Sequence, residues 1–123
     1  MKEDRDYGAE QTELAEGEYR MGITTTDELV QAVEEWGREK RIDNPIMQFA
    51  KLNEEVGEIA HELTRGRIHS AEIVDAIGDT AVTLIILADI LGTDLHYCLG
   101  QAWWQIKDRT GHTENGSFVK DNG

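Results

Sequence analysis

Two sets of carboxylates stand inside stretches whose other residues are apolar and helix-forming. The first is Glu54-Glu55-Val56-Gly57-Glu58, and the second runs Glu72-Ile73-Val74-Asp75-Ala76-Ile77-Gly78-Asp79. Carboxylates repel one another and cost free energy to bury, so a helix core avoids them unless something positive sits between them. Two such sets on neighbouring helices predict a cage of hard oxygen donors for divalent cations, and with it phosphate chemistry.

Helical geometry sorts the acids further. With Leu52 at zero, the apolar stripe of its helix lies between roughly −20° and +60°. Glu55 falls near −60°, Glu62 near −80° and Glu58 near −120°, flanking that stripe, whereas Glu54 falls near 200°. Glu55 and Glu58 therefore aim at one point beside the core. Glu54 suits a supporting role, a second ion or solvent. In the second set Glu72, Asp75 and Asp79 share one face, which continues into Val82 and Ile86. An isolated EExxE pattern usually marks a solvated face. The second set argues otherwise: aspartate is a poor helix former, yet two stand in a run of Ile, Val, Ala and Leu. Neither has a Lys or Arg at i+4 to pair with.

The elements that must position these groups are legible from caps and periodicity. Thr25 with Glu28 makes a capping box, and Leu29, Val33 and Trp36 follow at helical spacing, predicting a first helix over Thr25–Arg41. Asn44-Pro45 starts a second, from Pro45 to about Arg65 with a stop at Gly66. Ser70 caps a third, ending at Gly92, whose half from Ala81 to Leu91 is apolar nearly all round and must be surrounded by its own domain or another subunit. Thr93 or Asp94 caps a fourth, from Leu95 to about Arg109, ending at Gly111. Gly57 and Gly78 sit beside the acidic sets, where glycine costs about 1 kcal/mol relative to alanine. Close helix approach or ligand access would offset that cost. The prediction is an all-α four-helix bundle over 23–123, preceded by a flexible acidic arm over 1–22.

Composition bounds the rest. The chain has 123 residues, 39% apolar and 30% charged, which fits one soluble globular domain with a modest core. Its net charge of −13 argues against a nucleic-acid backbone as partner, since that needs clustered Lys and Arg. No apolar run is long enough for a membrane span, and the acidic, polar N-terminus is unlike a signal peptide. The single cysteine, Cys98, fits a reducing, cytoplasmic setting and reads as a small core residue. His61, His69, His96 and His112 have no zinc-like spacing and read as surface or cap residues.

The chain resembles the MazG-like nucleoside triphosphate pyrophosphohydrolases, especially their short phage and prophage type. The resemblance rests on Lys51-Leu52-Asn53-Glu54-Glu55-Val56-Gly57-Glu58, on Asp75-Ala76-Ile77-Gly78-Asp79, and on the apolar run to Gly92. It continues through Cys98-Leu99, Ile106-Lys107-Asp108-Arg109 and Gly116-Ser117-Phe118-Val119-Lys120, covering about Lys51 to Lys120. The family pattern is EExxE followed by ExxD. Glu54, Glu55 and Glu58 match the first motif. For the second, Glu72-Ile73-Val74-Asp75 satisfies the letters, while Gly78-Asp79 and the run after it fit the family's surroundings better. In that register Ala76 stands where an acid is expected.

The resemblance implies an all-α homodimer or homotetramer, dependent on Mg²⁺ or a substitute such as Mn²⁺. It implies hydrolysis of an NTP or dNTP to the monophosphate and pyrophosphate, with purine deoxynucleotides the first guess. The expected metal ligands are Glu55, Glu58, Asp75 and Asp79, with Glu54 and Glu72 as alternatives. Glu54 or Glu58 would take the proton of the attacking water. Lys51, Lys107, Arg109 and Lys120 would offer positive charge to the phosphates. Tyr97, Trp103 and Trp104 could stack on a base, although aromatics at such positions more often belong to a core or interface. Two other functions compete: a non-catalytic acidic helical module that binds a protein or mimics nucleic-acid charge, and a dUTPase-like enzyme with the same metal site.

Overall fold

The computed structural model describes residues 25–121. The acidic arm expected over 1–22 lies outside them. Four helices follow in order: α1 (Thr26–Glu39), α2 (Pro45–Thr64), α3 (Ala71–Ile90) and α4 (Leu95–Ile106). They are succeeded by a two-stranded antiparallel hairpin, β1 (Gly111–Glu114) and β2 (Ser117–Lys120).

Each helix begins where a short polar side chain takes up orphan backbone donors. Thr25 Oγ1 accepts from the Glu28 amide and donates to its carboxylate at 3.0 Å. Asn44 Oδ1 accepts from Ile46 and Met47, Ser70 Oγ from Ile73, and Asp94 Oδ1 from Tyr97. Three helices also stop alike. At Arg41, Gly66 and Gly92 the chain turns left-handed (φ 58°, 72° and 79°), and the following amide reaches back to the carbonyl of Gly37, Glu62 or Ala88. That stop ends α1 at Glu39, short of the expected Arg41.

α3 is the hub: it packs against α2 most extensively, then α1, then α4. Among the described residues the buried apolar side chains, Ile73, Ala76, Ile85, Ile86 and Ala88, all belong to it. The expectation that this helix must be surrounded is met in large part within the domain, although Ile77, Leu84 and Leu91 stay exposed. Polar ties lock the packing. Buried Gln48 of α2 donates from Nε2 to the Thr83 carbonyl of α3 at 3.2 Å, and Arg38 of α1 grips Asp89 of α3 with both its Nε and an Nη.

Three expectations need correction. The mostly helical, four-helix architecture stands, but the expected end of the fourth helix does not: Glu114-Asn115-Gly116-Ser117 closes a small hairpin, with φ of 51° at Asn115 and 77° at Gly116. Positive φ at both central residues makes a type I′ turn, which Asn-Gly strongly favours. Helix α4 accordingly ends at Ile106, and Gly111 opens β1 instead of stopping a helix. There the missing side chain matters, because a Cβ at Gly111 would lie 2.5 Å from the Phe118 ring. Second, Cys98 is exposed, as is nearly all of α4, so its reading as a core residue fails in this chain. Third, neither Gly57 nor Gly78 serves close helix approach, since a Cβ at either would meet nothing within 4 Å. The close approach is at Gly37, where a Cβ would stand 3.1 Å from Ile86 Cγ1.

A prediction follows from that open space. Gly78→Ala should stabilise the chain by about 1 kcal/mol, a rise of a few degrees in Tm by thermal denaturation. A fall in Tm would mean that another molecule packs where the single chain leaves room.

Candidate metal centre

The two acidic sets meet across the α2–α3 interface. A cleft of about 380 Å³ is lined from α2 by Lys51, Glu54, Glu55, Glu58 and Glu62, and from α3 by Glu72, Asp75, Ala76 and Asp79. Every carboxylate that the sequence singles out as a metal ligand or an alternative ligand faces it. Periodicity explains the α2 side. Lys51, Glu55, Glu58 and Glu62 fall within about 60° of one another on the helix wheel, all beside the apolar stripe. Glu54, assigned to the far side at 200°, is in fact about 40° from Glu58 when the angle is read as −160°. It lines the rim and is largely exposed, whereas the Glu55 side chain retains only 14% of its exposure.

On α3, Ser70 starts the helix so that Glu72, Asp75 and Asp79 fall on one face toward α2. The structure brings both Glu72 and Asp75 to the cleft and does not choose between them. Ala76, where the resemblance expects an acid, is on the same wall and buried.

The electrostatics are those of crowded carboxylates with Lys51 as the one cation among the lining residues. Lys51 Nζ stands 3.5 Å from Glu55 and 3.8 Å from Glu54. The Asp79 carboxyl is held above its ordinary value, first by desolvation and then by the charges of Asp75 and Glu55, with Lys51 acting in the opposite sense. The charge of Glu55 on α2 therefore reaches Asp79 on α3 across the interface.

These oxygens suit a hard divalent ion such as Mg²⁺, which takes carboxylates and water rather than nitrogen or sulfur. They do not form a closed cage, for among the described residues no three His, Cys, Asp or Glu side chains are grouped as a ready set of metal ligands. The cleft is open to solvent.

No protein-family model, curated protein or solved structure matches the chain.

The other candidates scatter. Lys107, Arg109 and Lys120 do not line the cleft. Lys107 pairs with Asp108 at 2.9 Å and lies 4.3 Å from the centre of the Trp104 ring. Tyr97, Trp103 and Trp104 are exposed on α4. The histidines are surface groups as expected: His61 accepts from Arg65, and His112 pairs with Glu114 across one residue of β1. Glu62 is the cleft residue to which sequence reasoning gave no role. Among the described residues it is one of the most buried charged groups, at 6% exposure, and pairs with Arg67 at 2.7 Å. Its helical phase beside Glu55 was the available signal.

Proposed function

We propose that the chain is a Mg²⁺-dependent nucleoside triphosphate pyrophosphohydrolase, converting an NTP or dNTP to the monophosphate and pyrophosphate. The observation that carries this reading is the convergence of both acidic sets, with Lys51, on one open cleft between α2 and α3. Glu55, Glu58, Asp75 and Asp79 would hold the ion, with Glu72 and Glu54 beside them. When bound, Mg²⁺ offsets charge on the phosphates and acidifies a coordinated water.

The chain's own part is to orient and to move a proton. Lys51 supplies the cation already within the cleft. Glu58, or Glu54 at the rim, accepts the proton of the attacking water. The water oxygen bonds to phosphorus, the P–O bond bridging the α and β phosphates breaks, and its electron pair leaves with one product phosphate. A cleft of this volume falls in the range of small-molecule sites.

The protein is also proposed to act as a homodimer or homotetramer. Leu91, Tyr97, Leu99, Trp103 and Trp104 are at least 58% exposed on and beside α4, and a lone chain of this size rarely leaves so much apolar surface uncovered. Lys107, Arg109 and Lys120 belong to this same arm and its hairpin, so association is the route by which they would reach a cleft. Sedimentation equilibrium should give a dimer or tetramer. A monomer at micromolar concentration would rule that out.

The experiment for the activity is pyrophosphate release from a panel of NTPs and dNTPs, with and without Mg²⁺. Release of pyrophosphate from one or more of them, with Mg²⁺ only, is expected, and purine deoxynucleotides are the first to try. Hydrolysis confined to dUTP would select the dUTPase-like alternative. No hydrolysis at all would leave the acidic partner-binding module, which the net charge of −13 favours. No described helix is long and apolar enough to cross a membrane, and a cytoplasmic nucleotide pool is the setting that fits the proposal.

A further inference from the structure

Seven carboxylates and a single lysine line the cleft, which is a poor surface for the polyanionic tail of a nucleotide. A cation at its other end would change that. Glu62 lines the cleft and lies eleven residues beyond Lys51 on α2, about 16 Å along the helix axis. Its Oε2 accepts from Arg67 Nε at 2.7 Å.

Arg67 is fixed by more than this pair. Its amide donates to the Glu62 carbonyl at 3.0 Å, made possible by Gly66 in the left-handed region at φ 72°. Its own carbonyl accepts from Ser70 Oγ at 2.9 Å, and that same Oγ caps α3. Arg67 is thus clamped between the end of α2 and the start of α3; it does not itself line the cleft but borders it through Glu62, which does. The guanidinium remains about half exposed, and among the described residues its two Nη groups have no partner. A planar fork with one edge held and the other free is suited to a phosphate.

The geometry points to Arg67 as a phosphate-binding residue at the α2 C-terminal end of the cleft, with Glu62 as its positioning residue. This rests on the nucleotide reading of the cleft and deepens it. Lys51 and Arg67 then bracket the carboxylates, so that charge on a bound polyphosphate is met at both ends of the acidic stretch.

The test compares Arg67→Gln, Arg67→Lys and Glu62→Gln with wild type in the full chain, at a temperature well below every Tm. Arg67→Gln should raise KM for the hydrolysed nucleotide by about tenfold or more, with the loss falling on KM rather than kcat. Arg67→Lys, which keeps the charge beside Glu62 but loses the fork, should show a smaller rise. Glu62→Gln, which frees the guanidinium, should move KM in the same direction. A lowered Tm with unchanged KM in Arg67→Gln would overturn the assignment and leave the pair purely structural. If Arg67→Gln does not fold, unchanged KM in Arg67→Lys has the same force.

Should wild type hydrolyse no nucleotide, the reading of the cleft fails, and titration calorimetry with Mg²⁺ and inorganic tripolyphosphate decides the inference separately. Binding by wild type that weakens in Arg67→Gln upholds it. Equal binding by both, or none by wild type, overturns it.

Discussion

Asp79→Asn and Glu58→Gln are each expected to reduce pyrophosphate release by about 10²–10⁴-fold, equivalent to about 3–5 kcal/mol in the activation barrier. The size follows from what each group does in the cleft. Asp79 is the α3 acid whose proton affinity responds to Asp75 on its own helix and to Glu55 on α2, so its charge belongs to both walls at once. Replacing it by an amide keeps the shape but removes a hard anionic donor. Glu58 lines the cleft and is exposed, where it can either hold the ion or take the water's proton. Far-UV circular dichroism should show the same helix content in both variants, because both residues are exposed and an amide keeps the shape of the carboxylate it replaces. Near-normal turnover in either variant would remove that residue from the mechanism. The corresponding change at Glu54, largely exposed and paired only with Lys51, should cost less. Loss at Glu54 equal to that at Glu58 would make Glu54 the proton acceptor.

How far these residues could be read from sequence depends on how local their signals are. Caps are local, so Thr25, Asn44, Ser70 and Asp94 start helices where side-chain chemistry requires. The cleft is almost as legible, because a period of 3.6 residues places Glu55, Glu58 and Glu62 on one flank and Glu72, Asp75 and Asp79 on one face. The arrangement of α2 beside α3 needs only a short turn between two helices with those faces. Legibility ends where helical phase ends. Arg67 lies beyond the last turn of α2, and only the reversal at Gly66 brings it back against Glu62. The hairpin was open to reading from Asn115-Gly116, yet its strands are four residues each and fully exposed, so no apolar alternation announces them. The environment of Cys98 is different in kind. Residues of α4 have apolar character without a buried face in one chain, and sequence periodicity does not say which molecule covers them.

Addition of Mg²⁺ should raise the melting temperature of the wild type by about 10–20 °C. A ligand at a hundredfold excess over its Kd stabilises by about 2.7 kcal/mol, and each kcal/mol shifts Tm by roughly 4–8 °C in a domain near this size. Without the ion, the carboxylates oppose folding. The Asp79 carboxyl titrates above its ordinary value in the folded chain, so the fold favours its neutral form. Above that raised value the group is charged, and the charge costs stability. The cost is lifted as pH falls through the raised value. Two consequences have opposite signs and can be separated. In chelator, Asp79→Asn should melt at a higher temperature than wild type at pH 7, and the difference should shrink as the pH is lowered into the carboxylate range. In Mg²⁺ the order should reverse, because the variant has lost a ligand while the wild type gains the binding energy. The Mg²⁺-dependent shift itself should decline on acidification, since protons compete with the ion for the same oxygens. A wild-type Tm indifferent to millimolar Mg²⁺ at pH 7 would mean that the acids of α2 and α3 merely share a solvated cleft. A shift retained in full by Asp79→Asn would move the ion toward Glu72 and the α2 carboxylates.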